Sequence, residues 1–261
     1  LSSSLINQIY QDRNGFIWIA TEDGLNRYDG AKFTIYKHEP NNEHSLAHNF
    51  VRTGFEDSKG HLLIGTYIGI QMYDPATDNF TPLAKLEDTG ETLESNINSF
   101  IERKNGEIWV SGNVLCKLDI KDHLLTVRKV DIAVTSPGSL FEDKKQNVWM
   151  AKGEEGVYQL TPDNQLTLHL SKDNGYVKSI CEDQRGNIYV GSIRKGLFIY
   201  DKERKTFVPV DLKEKGELPV CFLYSGIPNE LYIGTDGKGV AIYNIRTHEI
   251  SEYKFDNNYF D

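Results

Sequence analysis

Apolar and polar positions alternate in short runs along this chain, a pattern typical of β-strands rather than helices. In the first forty residues the runs are rich in Ile, Tyr, Trp and Phe, which strands favour. Asp and Gly separate them, because glycine permits positive φ and aspartate accepts hydrogen bonds from its own turn. The pattern predicts four strands, at residues 6–11, 16–20, 25–28 and 32–36.

This four-strand unit recurs along the whole chain. Four short strands in every 40 to 46 residues is the repeat of a β-propeller blade. We therefore predict an all-β protein, a β-propeller of four-stranded antiparallel blades with six blades readable. The interpretation leaves room for a seven-bladed propeller whose last blade lies beyond Asp261. The large residue that marks the second strand occurs as Trp18, Leu63, Trp109, Trp149, Tyr189 and Tyr232.

No connection between the repeats has the composition of a domain boundary, so we predict a single propeller domain over residues 1–261. We interpret this domain as a fragment of a longer protein. The blades are predicted approximately at residues 1–40, 41–84, 85–130, 131–171, 172–211 and 212–261.

Charge and cysteine content exclude several classes of partner. The formal net charge of −9 argues against nucleic acid, because the field of the protein repels a polyanion. No apolar run approaches the roughly 18 residues of a membrane span. Cys116, Cys181 and Cys221 are widely spaced and form no CxxC pair, so we predict buried apolar residues rather than disulfides or zinc ligands.

An Asp-x-x-Gly turn opens at Asp12, Asp57 and Asp183. Calcium loops place several carboxylates within about a dozen residues, whereas each of these turns supplies one, so we interpret the aspartates as turn caps. The three tryptophans share one strand position and are assigned to the core. No metal-binding spacing, phosphate loop or nucleophile elbow occurs, so no metal, cofactor or catalytic residue is predicted.

The sequence NQIYQDRNGFIWIATEDGLNRYDG at residues 7–30 resembles the two-component-regulator propeller repeat. In that family an Asp-x-x-Gly turn is followed by an Ile-Trp-Ile-Gly-Thr strand and a Gly-Leu-x-x-Tyr-Asp strand. The resemblance is closest to the first blade of the N-terminal sensor region in hybrid two-component system histidine kinases. Copies one, two and five match well, whereas Arg103, Gln146 and Gly226 replace turn residues in copies three, four and six.

The resemblance implies the periplasmic ligand-sensing ectodomain of an inner-membrane hybrid kinase. It implies no enzymatic activity for this domain, because phosphoryl transfer would belong to the kinase and response-regulator parts of the longer protein. The implied ligand is an oligosaccharide released during polysaccharide breakdown, and the full sensor is expected to form a homodimer. Membrane attachment would come only through a segment absent from this chain.

Loops between strands two and three emerge at the same edge of a blade as the loops that lead to the next blade. The loops between strands two and three differ from copy to copy, whereas the Asp-x-x-Gly turns are constant. Variable loops on a rigid scaffold usually carry recognition. We predict that residues of these loops ring the mouth of a polar pocket, where tyrosine stacks against a sugar ring while the other side chains bind hydroxyls or pair with an acidic sugar. Solvated loop residues are the alternative interpretation. The predicted ligand-binding residues are Tyr67, Asn113, Glu154, Arg194 and Asp236.

Two other functions are compatible with the sequence. One is a protein-interaction or dimerisation scaffold, because propellers present broad faces. The other is a propeller lyase or glycosidase. A polar pocket with an aromatic wall would favour the sensor, an exposed apolar rim would favour the scaffold, and converging carboxylates or histidines would favour the enzyme.

Overall fold

The computed structural model describes residues 1–170, 175–212 and 218–252. All regular elements in these ranges are strands, and the strands form six sheets. The fold divides into two compact units, residues 1–137 and 138–261, and each unit contains three of the sheets.

The first unit begins with two four-stranded antiparallel meanders, which are blades one and two. In blade one, Trp18 lies between Tyr10 on the first strand and Arg27 on the third. This register places the largest residue of the repeat in the middle of its sheet. The strands are β1 (Ile6–Gln11), β2 (Ile17–Thr21), β3 (Gly24–Tyr28), β4 (Phe33–Tyr36), β5 (Val51–Glu56), β6 (Leu62–Thr66), β7 (Ile70–Asp74) and β8 (Asn79–Phe80).

Blade three contains a fifth strand that the repeat does not predict. The short strand β9 (Lys85–Leu86) comes from the connection between blades two and three and pairs in parallel with the last strand of the blade. Two residues are too few to produce an alternating pattern, so the sequence carries no signal for this strand. The other four strands are β10 (Ser99–Glu102), β11 (Ile108–Ser111), β12 (Leu115–Lys121) and β13 (Leu124–Lys129).

The second unit contains blades four, five and six, each a four-stranded antiparallel meander in chain order. Blade four consists of β14 (Leu140–Glu142), β15 (Val148–Lys152), β16 (Gly156–Leu160) and β17 (Leu166–Leu170). Blade five consists of β18 (Val177–Glu182), β19 (Ile188–Ser192), β20 (Gly196–Asp201) and β21 (Thr206–Pro209). Blade six consists of β22 (Val220–Tyr224), β23 (Glu230–Thr235), β24 (Val240–Asn244) and β25 (Ile250–Glu252).

The predicted β-propeller of four-stranded antiparallel blades is confirmed, with six blades in the described residues and one added strand in blade three. In blade one the four predicted strands agree with β1 to β4 to within one residue at each end. The single-domain prediction, the blade bounds and the seventh blade stay predictions.

In blades one to five the second strand is the most deeply buried part of the blade. Trp18, Trp109 and Trp149 are 0%, 3% and 1% exposed, which confirms their assignment to the core. Cys116 and Cys181 are buried as predicted, whereas the prediction for Cys221 is wrong because this residue is only half-buried.

The aspartates of the Asp-x-x-Gly turns cap their own turns, as predicted. Asp12 Oδ1 accepts hydrogen bonds from the backbone N–H groups of Asn14 and Phe16, at 2.9 and 3.0 Å. Asp12 Oδ2 accepts a hydrogen bond from Trp18 Nε1 at 2.7 Å. One carboxylate therefore closes the turn and satisfies the indole N–H of the buried tryptophan.

In several blades a glutamate directly before the turn accepts hydrogen bonds from the turn of the preceding blade. Glu102 Oε2 and Oε1 accept hydrogen bonds from the backbone N–H and hydroxyl of Ser58, at 2.7 and 2.5 Å. In the second unit, Glu182 Oε2 accepts a hydrogen bond from the backbone N–H of Lys144 at 2.9 Å. These charge-assisted bonds fix the turn of one blade against the first strand of the next.

In blade three, where Arg103 occupies the position of the turn aspartate, Glu107 accepts the hydrogen bond of the tryptophan indole and Asn105 Oδ1 accepts one from the turn backbone. Glu107 Oε2 accepts a hydrogen bond from Trp109 Nε1 at 3.0 Å, and Glu107 Oε1 pairs with Lys117 Nζ at 2.5 Å. The hydrogen bond from Lys117 is the main cause that lowers the pKa of Glu107 to about 2.

The stability of the protein is therefore expected to respond to acid through Glu107. Because its pKa is depressed in the folded state, its contribution is present above the ordinary value of 4.5 and is lost as pH falls towards about 2. Urea denaturation of the wild type and of Glu107→Gln across this range measures the difference. We expect the two stabilities to converge as pH falls, and a constant difference would contradict the assignment.

Blades one and six each expose large apolar side chains on their first strands. Ile9 is 57% exposed, although Phe100 and Leu140 at the same register position are 6% and 7% exposed. In blade six, Phe222 and Tyr224 on the first strand are 61% and 51% exposed. Exposed apolar groups of this size usually mark surfaces that contact another part of a protein or a partner.

Candidate functional site

The predicted ligand-binding residues all lie in loops between the second and third strands of a blade, and we call this side of each blade its upper edge. Tyr67 and Asn113 belong to the first unit, whereas Glu154, Arg194 and Asp236 belong to the second. The six loops span residues 22–23, 67–69, 112–114, 153–155, 193–195 and 236–239.

A recurring backbone hydrogen bond fixes the loops at the upper edge. A residue that follows strand two donates its N–H to the carbonyl of the residue before strand one of the same blade. Tyr67 donates to Phe50 and Asp236 donates to Pro219, both at 3.0 Å. The loop backbone is therefore held in place, so side chains can vary there without loss of the scaffold.

Tyr67 is the exposed wall of an aromatic cluster at the upper edge of blade two. Its side chain is 54% exposed, and its ring centroid lies 5.6 Å from that of His48 and 6.1 Å from that of Phe50. His48 Nδ1 accepts a hydrogen bond from the Phe50 N–H at 2.9 Å, so the proton of the neutral imidazole lies on Nε2. The cluster presents a supported aromatic face next to a polar ring.

Arg52 brings a cation next to this cluster. It lies in a bulge of β5, and its guanidinium carbon is 5.9 Å from the ring centroid of Phe50. Its Nη2 donates a hydrogen bond to Asn98 Oδ1 at 3.0 Å, and Asn98 Nδ2 donates to the carbonyl of Pro137 at 3.1 Å. The guanidinium and the amide are therefore held in fixed positions.

The sequence prediction misses Arg52 and Asn98 because it compares the repeats by strand two. The pairing of the first two strands skips a residue in four blades, and the skipped positions are Asn7, Arg52, Lys178 and Cys221. A comparison by strand one would show that this position varies from blade to blade and is polar in three of these four blades. That variation is the signal of a recognition position.

Asn113 lines a separate cleft in blade three. The cleft has a volume of about 710 Å³, and its walls include Lys85, Glu91 and Lys129. The backbone N–H of Asn113 donates to Ser95 Oγ at 2.9 Å, which fixes the loop. Charges of both signs surround this cleft, so its lining does not favour one ligand charge.

The structure brings two of the predicted residues of the second unit together. Glu154 Oε1 and Arg194 Nη1 form an ion pair at 2.9 Å, with side chains that are 61% and 65% exposed. Exposed pairs of this kind contribute about 0–1 kcal/mol, so a ligand could displace this pair at little cost. Asp236 is exposed at the upper edge of blade six.

The side chains of this upper edge fit recognition of a polar ligand. Tyr67 offers a stacking face, while Arg52 and Asn98 offer a fixed cation and an amide. In the part of the chain that the structure describes, no three His, Cys, Asp or Glu residues are grouped so that they could bind a metal ion. No helix of that part is long and apolar enough to cross a membrane.

A protein-family model described as the two component regulator propeller matches residues 1–23 and 171–194. These segments contain the beginnings of blades one and five, two of the copies that match the repeat well in sequence. This chain carries two-component-regulator propeller repeats. The resemblance proposed from the sequence is thereby confirmed.

Known relatives of these repeats are longer proteins. Histidine kinase P4 of Formosa agariphila is 43% identical over 47 residues, which cover 18% of this chain and 3% of that protein. A structure described as the extracellular domain of a hybrid two component system from B. thetaiotaomicron has a TM-score of 0.79 and 22% identity. It matches 99% of this chain, which spans only 36% of that structure.

An enzyme also has this fold. Virginiamycin B lyase from Staphylococcus aureus, in a structure of an inactive variant with quinupristin, has a TM-score of 0.73 and 12% identity. The match covers 98% of this chain and 87% of the lyase. At identities this low the two structural matches concern the fold, and the function has to be argued from the site.

Proposed function

We propose that this chain is a ligand-sensing domain of a hybrid two-component histidine kinase and that it binds an oligosaccharide in the periplasm. The family repeats and the fold of the extracellular two-component domain support this proposal. The domain itself catalyses no reaction on this proposal, and kinase chemistry belongs to other parts of the longer protein. The full sensor would act as a homodimer attached to the inner membrane through a segment outside this chain.

The observation that carries the choice of an oligosaccharide is the cluster around Tyr67. A pyranose ring has an apolar face of C–H groups and a rim of hydroxyls, so it needs both an aromatic surface and fixed hydrogen-bonding groups. Tyr67 supplies the surface, because its ring is half-exposed and supported by His48 and Phe50. Arg52 and Asn98, which are joined by a hydrogen bond, supply the polar groups.

Replacement of Tyr67 or Arg52 by alanine is expected to weaken oligosaccharide binding about 10-fold or more. Loss of an aromatic stacking partner or of a charge-assisted hydrogen bond removes about 1–3 kcal/mol, and about 1.4 kcal/mol corresponds to a factor of ten. Thermal-shift screening against defined oligosaccharides identifies the ligand, since a ligand of the native state raises Tm. Calorimetry then gives the affinity of each variant.

Two variants serve as controls for this experiment. Tyr67→Phe keeps the stacking face and should retain most of the affinity. Phe33→Ala removes an exposed aromatic ring, 44% exposed, from a strand away from the upper loops and should leave binding unchanged. Wild-type affinity in both Tyr67→Ala and Arg52→Ala would contradict a sugar site at this edge.

A protein-interaction or dimerisation scaffold is the second candidate function. It is favoured by the exposed apolar residues of blade six, where Phe222, Tyr224 and Ile227 are 61%, 51% and 42% exposed. Light scattering after size-exclusion chromatography distinguishes the two functions. Self-association that Phe222→Ser with Tyr224→Ser abolishes, without any oligosaccharide response, would favour the scaffold over the sensor.

A further inference from the structure

Arg27 fills an aromatic recess at the junction of blades one and two. Its side chain is only 19% exposed, so the chain closes this recess with its own cation. A guanidinium within about 6 Å of a ring centroid is attracted by the electron-rich face. The distances from the guanidinium carbon to the ring centroids are 5.2, 5.6, 5.6 and 5.8 Å, for Phe16, Trp18, Tyr36 and Tyr73.

Asp78 completes this closed recess. Its Oδ1 accepts hydrogen bonds from the hydroxyls of Tyr36 and Tyr73, both at 2.6 Å, and pairs with Arg27 Nη1 at 3.1 Å. The cation, the carboxylate and both hydroxyls are thus satisfied within the chain, which leaves this recess without capacity for a ligand.

The junction of blades four and five repeats the aromatic part of this recess. The ring centroid of Trp149 lies 5.4 Å from that of His169 and 5.2 Å from that of Tyr200. Gln159 pairs with Trp149 across β15 and β16, as Arg27 pairs with Trp18 across β2 and β3. A neutral amide therefore occupies the position of the internal cation.

The charge at the position of Asp78 is reversed at the second junction. Lys205 directly precedes β21, as Asp78 directly precedes β8, and both residues have positive φ, 52° and 56°. The Tyr200 hydroxyl, unlike that of Tyr73, has no hydrogen-bond partner among the residues that the structure describes. The second recess thus has a neutral amide at the position of the internal cation, and it has a lysine at its edge.

Two clefts, of about 290 and 470 Å³, open over this recess and share Lys145, Gln159, Tyr200 and Lys202 among their walls. We call the joined clefts the blade 4–5 groove. Lys145, Lys202 and Lys205 are exposed along it. In a chain with a net charge of −9, such a row of cations creates a local field that attracts anions.

The acidic residues of the groove do not cancel these lysines. Asp143 accepts hydrogen bonds from its own turn and from Trp149 Nε1, and Glu182 accepts one from the backbone N–H of Lys144. Lys144 Nζ is also engaged, with the carbonyl of Asp183 at 2.9 Å. Both carboxylates keep their charge, but five cationic side chains line the two clefts against these two, so the groove is net positive.

We propose that the blade 4–5 groove is a second ligand site, which binds a carboxylated or sulfated sugar. The sugar ring packs against Tyr200, and Lys145, Lys202 and Lys205 pair with its anionic group. Gln159, whose Oε1 lies 2.7 Å from His169 Nε2, binds a ring hydroxyl. The choice of a sugar rests on the proposed function, whereas the anionic requirement rests on the groove itself.

The test uses four probes in matched pairs: tetragalacturonate with its methyl ester, and sulfated cellotetraose with cellotetraose. Isothermal calorimetry at low salt should show that the acidic member of at least one pair binds at least ten times more tightly than its neutral partner. The pair that responds identifies the anion as a carboxylate or a sulfate.

Two sets of substitutions locate the binding. Lys202→Glu with Lys205→Glu reverses the charge of the groove and should weaken binding of the acidic probe at least 10-fold. The matched control, Lys32→Glu with Lys121→Glu, makes the same change of net charge at exposed lysines of the first unit and should leave binding unchanged.

A third variant introduces the two charged residues of the closed recess at the equivalent positions of the open recess. Gln159→Arg with Lys205→Asp rebuilds the arrangement of Arg27 and Asp78. The new arginine side chain should therefore occupy the recess under the groove. This variant is expected to lose the acidic probe while its Tm stays at or above that of the wild type. Because it is designed to pack better, loss of binding cannot be attributed to unfolding.

The outcomes separate this inference from the proposed function. Acidic-probe binding that survives both groove variants and disappears in Tyr67→Ala overturns the groove site and leaves the sensor proposal in place. Binding of the neutral probes alone also overturns the groove site and leaves the sensor proposal in place. Failure of all four probes, and of the wider oligosaccharide screen, overturns both proposals.

Discussion

Replacement of Gly156 by alanine is expected to destabilise the protein more than the same replacement at any other glycine that the structure describes. Gly156 has φ of +125°, and a Cβ at this position would overlap the carbonyl oxygen of Leu170. The backbone of β17 cannot give way like a flexible side chain, so the sheet must open or the turn must change. Backbone strain and steric overlap each cost about 1–3 kcal/mol, so we expect a loss of about 3–5 kcal/mol.

Gly237→Ala is the matched control in the same unit. Gly237 also has positive φ, +76°, but its Cβ would meet nothing within 4 Å. Only the left-handed backbone is penalised there, at about 1–2 kcal/mol. Chemical denaturation followed by circular dichroism measures both variants. Equal losses of unfolding free energy would show that the contact with Leu170 does not constrain this turn.

Asp143→Ala is expected to produce the second large effect, because one buried carboxylate satisfies four donors. Asp143 is 4% exposed and accepts from the backbone N–H groups of Lys145 and Asn147, from Asn147 Nδ2 and from Trp149 Nε1, at 2.8–2.9 Å. A buried donor without its partner costs about 1–3 kcal/mol. We expect the free energy of unfolding to fall by about 3 kcal/mol or more.

Asp143→Asn separates the hydrogen bonds of the turn from those of the side chains. The amide oxygen can still accept from the two backbone N–H groups, whereas the new amide N–H₂ opposes the Trp149 indole donor. An intermediate loss of stability is therefore expected, measured by denaturation with tryptophan fluorescence as the readout. A stability of Asp143→Ala close to that of the wild type would mean that solvent satisfies these donors.

The blade could be predicted because its signals lie within a few residues of one another. Asp12 bonds to atoms two, four and six residues ahead, and these contacts depend on the local turn alone. The spacing of Trp18 and its equivalents then identifies the strand that must be buried. The two-residue strand β9 is missed because it forms only where β13 offers an edge.

The candidate site could be predicted only in part. All five predicted residues lie in upper loops, since the strand register fixes which loops share an edge. The hydrogen bond between Arg52 and Asn98 could not be predicted, because these residues are 46 positions apart and meet through the packing of neighbouring blades. The contacts of Tyr67 with His48 and Phe50 depend instead on the pairing of strands within one blade. The ion pair of Glu154 and Arg194 likewise joins loops of two different blades.

The sequence by itself determined the repeat, the strands, the turn caps and the buried tryptophans, because these follow from local hydrogen bonds and from the period of apolar residues. Only the tertiary structure decided which recess is closed and which is open. Arg27 and Gln159 occupy the same position in their repeats, yet their surroundings depend on the next blade, which presents Asp78 to one and Lys205 to the other. The contacts between blades, rather than the repeat itself, therefore distinguish a self-filled recess from an open groove.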